Sequence, residues 1–217
     1  MEFRIADTFT ASLARLASAE QKAAKTTAFD LQMDPSAPGM KFHRIEKSRD
    51  PNFWSVRASG DLRIIVHKTA ASFLFAYVGH HDDAYAWAER RKIEAHPRTG
   101  AAQWVEIVER QEPAGAAAPI ATAGPSAAAP SRQPFTHIST DELLAYGVPT
   151  DWIEAVQAAD EDSLFNLAQH LPAEAMDALL ELATGGKPKP AEPLPPDADP
   201  FAHPDAQRRF RVVANLD

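Results

Sequence analysis

Two arginines, two histidines and a tyrosine crowd one stretch of this chain. Arg57 and Arg63 flank Gly60-Asp61, and His80, His81 and Tyr85 follow shortly after. Guanidinium groups hold phosphate oxygens through paired hydrogen bonds, and imidazole changes its protonation near neutral pH. Such a set could bind an anion and move protons beside it. Plainer roles stand next to that chemistry. Arg57, near Trp54, could serve an exposed strand face or a cross-sheet ion pair. Arg63 could pair with Asp61 or a helix carboxylate, and Tyr85 could simply pack. The run His80-His81-Asp82-Asp83 has metal-ligating residue types, but neighbours on an extended chain point apart. Neither a metal nor a cofactor is expected.

The elements that must position these residues are legible in the patterning. Trp54, Val56 and Ala58 alternate with Ser55, Arg57 and Ser59, which predicts a half-buried strand. Gly60-Asp61 is a hairpin break. Leu62-Arg63-Ile64-Ile65-Val66 reads as the returning strand, and Ser72 to Val78 as a third. Upstream, Phe3-Arg4-Ile5-Ala6 predicts a first strand, and Phe9, Leu13 and Leu16 have helical spacing. Ser18-Ala19-Glu20-Gln21 has the form of a capping box and opens a second helix that stops near Met33, before Asp34-Pro35. Met40 to Ile45 predicts another strand. Asp82-Asp83 suit the start of a helix over Ala84–Glu94. Arg90-Arg91-Lys92 would then be either a dipole-matched helix end or a nucleic-acid patch. The fold class is α+β: a small antiparallel sheet with a helical hairpin, in the order β-α-α-β-β-β-α.

Trp54-Ser55-Val56-Arg57, Leu62-Arg63-Ile64-Ile65-Val66 and Val78-Gly79-His80-His81-Asp82-Asp83-Ala84-Tyr85, in this order, resemble the RelE/ParE toxin superfamily. The resemblance covers roughly the first 95 residues. It implies RNA cleavage by attack of a 2′-OH on the adjacent phosphorus, which needs a base, an acid and cations for the phosphorane charge. By that resemblance Arg57 and Arg63 hold phosphate, Tyr85 takes an aromatic or acid–base place, and His81 stands where many active members carry arginine. The catalytic set it implies is His81, Tyr85 and Arg63. The nucleic-acid contacts are Arg57, Arg63, His80, Arg90 and Arg91.

Residues 1–112, the toxin-like domain, carry 16 lysines and arginines against 15 acidic residues. Residues 113–134 form an Ala/Pro/Gly/Ser linker. Residues 135–186 predict a small all-α module opened by Ser139-Thr140-Asp141-Glu142. A shift of 23 positions aligns Leu144 with Leu167, Val148-Pro149 with Leu171-Pro172, Ile153 with Met176 and Val156 with Leu179, which reads as a duplicated helix–Pro–helix unit. Residues 187–217 form a Pro-rich extended tail whose Phe201–Val213 portion reads as another ordered element with nothing left to bury it. From 134 on, 5 basic residues face 15 acidic ones, so bulk charge there does not draw nucleic acid.

There is no cysteine, no signal-peptide start and no run of the ~18 apolar residues that a membrane span needs. A cytoplasmic protein with no membrane partner is expected. A second resemblance joins the toxin-like N-terminal domain, the linker, Asp141–Pro149 and Asp199–Arg211 to the region ahead of the motor in some bacterial UvrD-like superfamily 1 helicases. No phosphate-loop motif occurs, so these residues hold no ATPase motif. The expectation is a toxin-like accessory region of a larger protein. It would bind nucleic acid (RNA, a ribosome or DNA) or a partner such as a C-terminal helicase motor, with RNase chemistry weakened or absent. The alternatives are an active, metal-independent endoribonuclease and a ParE-like protein-interaction module.

Overall fold

A computed structural model describes residues 2–35, 41–107 and 133–213. They form two compact units. Residues 1–96, 100–106 and 193–217 make the first, and residues 97–99 and 107–192 the second.

The first unit has an α+β architecture. Its strands are β1 (Glu2–Ala6), β2 (His43–Arg44), β3 (Phe53–Arg57), β4 (Leu62–Lys68), β5 (Ser72–His80) and β8 (Phe210–Val212), in the sheet order β2-β3-β4-β5-β1-β8. The pairs from β2 to β5 are antiparallel, whereas β1 runs parallel to β5, with Phe3 opposite Phe73. The helices α1 (Asp7–Ala14) and α2 (Ser18–Met33) bury Phe9, Ala24 and Leu31 in one cluster with Val56, Leu62, Ile64, Val66 and Phe73. The helix α3 (His81–Glu89) places Ala84, Trp87 and Ala88 in another, with Phe53, Ile65 and Ala76. A sheet buried on both faces needs continuous apolar runs rather than alternation, which accounts for Ile64-Ile65-Val66 and Phe73-Leu74-Phe75-Ala76.

Boundaries differ from the sequence reading: β2 is confined to His43–Arg44, β5 runs on to His80, and α3 starts at His81. Ser18 is the first residue of α2, and it is the Glu20 carboxylate that accepts from the Ala17 backbone N–H, at 3.1 Å. A carboxylate is the stronger acceptor than the Gln21 amide, whose Nε2 donates instead to Leu16 O. The helix α3 ends at Glu89, and Arg91–Ala95 become β6, paired with β7 (Ala102–Glu106). Gly100, at φ +75°, sits in the turn between them, where a side chain would be strained.

Asp50 clips that hairpin to the sheet. Its Oδ2 accepts from Ile93 N at 2.9 Å and lies 3.4 Å from Nε2 of buried His67, while its Oδ1 accepts from Asn52 N.

The segment Phe201–Val213 finds its partner at the edge of β1. A 3₁₀ turn over Pro200–Ala202 and α8 (Pro204–Arg209) lead into β8, where Phe210 pairs with Ala6 and Arg211 with Ile5. Phe210 is 1% exposed and packs on Phe201 and Trp104. Arg4 bonds Glu2 at 3.1 Å and Asp199 at 2.8 Å, and its guanidinium lies 4.4 Å from the Phe201 ring centre. Burial works against the Arg4 charge, but the bonds to Glu2 and Asp199 outweigh it, so its pKa is raised.

The second unit holds α4 (Thr140–Ala145), α5 (Ile153–Ala158), α6 (Glu161–Leu167) and α7 (Ala173–Ala183). The Ser139 hydroxyl accepts from Glu142 N, and the Glu142 carboxylate accepts from Ser139 N, closing the expected capping box. Val148, Ile153, Val156, Leu167, Leu171, Met176 and Leu179 share one apolar cluster. Gly185, at φ +84°, and Gly186, whose N–H donates to Glu181 O, close α7. Among the described residues no helix is long and apolar enough to cross a membrane.

The proposed linker, 113–134, lies outside the described residues apart from its last two positions.

Candidate binding groove

A groove of about 680 Å³ opens between β2, with the residues that follow it, and one stripe of α3. His43, Arg44, Glu46 and Lys47 line the first wall, and His81, Asp82, Tyr85, Ala86 and Glu89 the second. The helical spacing of 81, 85 and 89 puts those three side chains on one face of α3. Ile45 anchors the first wall, buried against the sheet beside Phe53.

The side chains of the groove are interlinked. Nδ1 of His43 faces the carbonyl oxygen of Lys41 at 2.9 Å, and its Nε2 lies 2.7 Å from the Tyr85 hydroxyl. A carbonyl only accepts, so the neutral ring keeps its N–H on Nδ1. The Nε2 lone pair then accepts from the Tyr85 O–H. The His81 ring stacks on Tyr85 with centroids 4.5 Å apart, and its Nδ1 lies 2.9 Å from Asp82 Oδ1. Two imidazoles and a phenol therefore stand side by side in an open cleft.

The charges of the lining are mixed. Arg44 and Lys47 share the lining with Glu46, Asp82 and Glu89. Leaving the imidazoles aside, three carboxylates stand against two cations. Such a surface does not concentrate a polyanion, and it offers both signs to a ligand that carries both. Among the described residues, no group of three His, Asp or Glu side chains is placed to hold a metal ion.

The residues selected from sequence fall into separate places. His81 and Tyr85 line the groove; Arg57, Arg63, His80, Arg90 and Arg91 do not. Arg57 and Arg63 are direct cross-strand partners at the β3–β4 hairpin. Like charges so placed repel, and both side chains turn to their own loop. Arg57 donates to Ser59 O and Gly60 O at 2.9 and 3.1 Å, and Arg63 donates to Leu62 O at 3.0 Å. His80 lies 3.2 Å from Asp61 and 3.4 Å from Glu20. Arg90 donates to Ala86 O. Arg91 bonds Glu106 at 3.2 Å and lies over Trp87, where burial lowers its pKa. His43 was not singled out in the sequence. Its only local signal is an imidazole between Lys41 and Arg44 at a strand edge, and its partner Tyr85 is far away along the chain.

No family model matches the chain, and no curated protein does. Among solved structures, the chain is similar to one titled as a RelB-RelE antitoxin-toxin complex from Methanococcus jannaschii, at 20% identity and a TM-score of 0.33. The similarity covers 38% of this chain and 95% of that one. At that TM-score no residue role passes from one protein to the other.

Proposed function

We propose that the first unit is a toxin-like, partner-binding module whose β2–α3 groove takes a segment of another protein, with RNase chemistry weakened. The observation that carries this reading is the lining: two cations and three carboxylates around a His43–Tyr85–His81 cluster. A phosphorane needs converging positive charge, and Glu46, Asp82 and Glu89 work against it. Arg57 and Arg63, the cations that the family resemblance would assign to phosphate, are tied to their own turn. An accessory role beside a helicase motor belongs to the same proposal and rests on the second resemblance, that of the toxin-like domain, the linker, Asp141–Pro149 and Asp199–Arg211 taken together.

One observation favours a second reading. The Tyr85-to-His43 hydrogen bond is an oriented acid–base couple, which is the equipment of a metal-independent endoribonuclease.

RNA cleavage separates the two. The full chain is incubated with free single-stranded RNA in EDTA and, separately, with translating ribosomes in magnesium buffer, beside His43→Ala and Tyr85→Phe. The proposal expects no cleavage above that of the two variants. Cleavage by the wild-type chain that both variants lose would replace it with the nuclease reading.

A further inference from the structure

At the far end of β4, Lys68 enters a box of three aromatic rings. Its Nζ lies 4.5 Å from the ring centre of Trp54, 5.1 Å from Phe42 and 5.6 Å from Phe73. The rings brace one another: Phe42 is 5.0 Å from Trp54 and meets Phe73 edge-on at 5.7 Å. Cations within about 6 Å of a ring face are held by its quadrupole. Among the described residues no carboxylate or carbonyl oxygen bonds this ammonium; three rings surround it instead. The position follows from the sheet, since Lys68 pairs with Phe73 across β4–β5 and its N–H donates to Asn52 O.

An unmodified ammonium is a poor occupant of such a box. It is a compact, strongly hydrated charge with three N–H donors, and rings satisfy donors weakly. Methyl groups remove the donors, spread the charge and add apolar surface, while the positive charge stays. Lys68, Phe42 and Trp54 are each only partly buried, so one side of the box is open to solvent.

We propose that Lys68 is a site of Nζ-methylation, and that its methylated form is the better ligand for the Phe42–Trp54–Phe73 box. In each step the ammonium first gives a proton to solvent. The nitrogen lone pair then attacks the methyl carbon of a sulfonium donor, the C–S bond breaks, and a neutral thioether leaves. Three such steps give a trimethylammonium of unchanged charge. This inference is independent of the groove.

The chain has no cysteine, so Lys68→Cys gives one alkylation site. Treating it with 2-bromoethylamine or with its trimethylammonium counterpart gives thia-analogues of lysine and trimethyllysine in the full chain. The trimethyl form is expected to melt higher than the unmethylated form by on the order of 2–4 °C. The same comparison in Phe42→Leu, which keeps an apolar side chain and removes a ring, is expected to lose at least half of that shift. Equal or lower melting of the trimethyl form would overturn the proposal, as would a shift unchanged by Phe42→Leu.

Discussion

The Tyr85 hydroxyl and His43 Nε2 are 2.7 Å apart, joining α3 to the edge strand β2 across the groove. The geometry fixes which ring nitrogen of His43 carries the proton, because the Lys41 carbonyl at Nδ1 can only accept. Long-range proton–nitrogen spectra of the neutral imidazole should show the Nδ1–H tautomer. In Tyr85→Phe that tautomer should persist, since the Lys41 contact remains. A dominant Nε2–H form in the wild-type chain would contradict the arrangement.

Asp50 should govern acid stability. Burial alone would raise its pKa, but hydrogen bonds from His67 and from the Ile93 and Asn52 N–H groups outweigh burial and hold it below the usual carboxylate value. A depressed folded-state pKa stabilises above the unfolded value of ~3.9, and the contribution is lost as pH falls through the folded value. Asp50→Asn should cost about 2 kcal/mol at pH 7, because a buried partner is lost. In denaturant titrations the gap between wild type and variant should narrow below about pH 4. A gap that stays constant from pH 7 to pH 3 would refute the linkage.

The sequence disclosed the strands around Gly60-Asp61 because their period is local. It disclosed the helical hairpin and the core of the second unit for the same reason. The residues of β6 look like the end of a helix in the sequence, because Arg90-Arg91-Lys92 suits a helix terminus and the pairing of Ile93 with Trp104 is set by tertiary contact. The role of Phe210 was hidden more deeply. Its partner is the edge of β1, at the opposite end of the chain, and no local pattern announces a pairing of three residues. The groove was half legible: helical spacing places His81 and Tyr85 together, but only the folded sheet brings His43 to them.

The return of β8 has a measurable consequence. A chain ending at 192 would lose Phe210 from the core and leave the edge of β1 unpaired, a template for association. Phe210→Ala should cost about 3–5 kcal/mol, read by thermal or denaturant unfolding of the full chain. The truncated chain should associate in sedimentation experiments at concentrations where the full chain does not. A truncated chain as stable and as dispersed as the full one would show β8 to be dispensable.

In the second unit, Val156 and Leu179 occupy aligned positions, both fully buried. Leu179→Ala should cost about 2–5 kcal/mol and Val156→Ala somewhat less, in proportion to the volume removed. Phe165, 76% exposed, gives the control: Phe165→Ala should change stability by no more than about 0.5 kcal/mol. Circular dichroism of the helical signal under denaturant checks all three, and a large cost at Phe165 would contradict the packing.

The most direct test of the groove is site-specific photo-crosslinking. A benzophenone amino acid replaces Ala86, which lines the groove on α3, in the full chain expressed in cells and irradiated there. The account predicts a discrete adduct that resists RNase, is destroyed by protease, and is lost when Lys47→Glu and Tyr85→Ala are added. An adduct destroyed by RNase, or no adduct at all, would contradict a protein-binding groove.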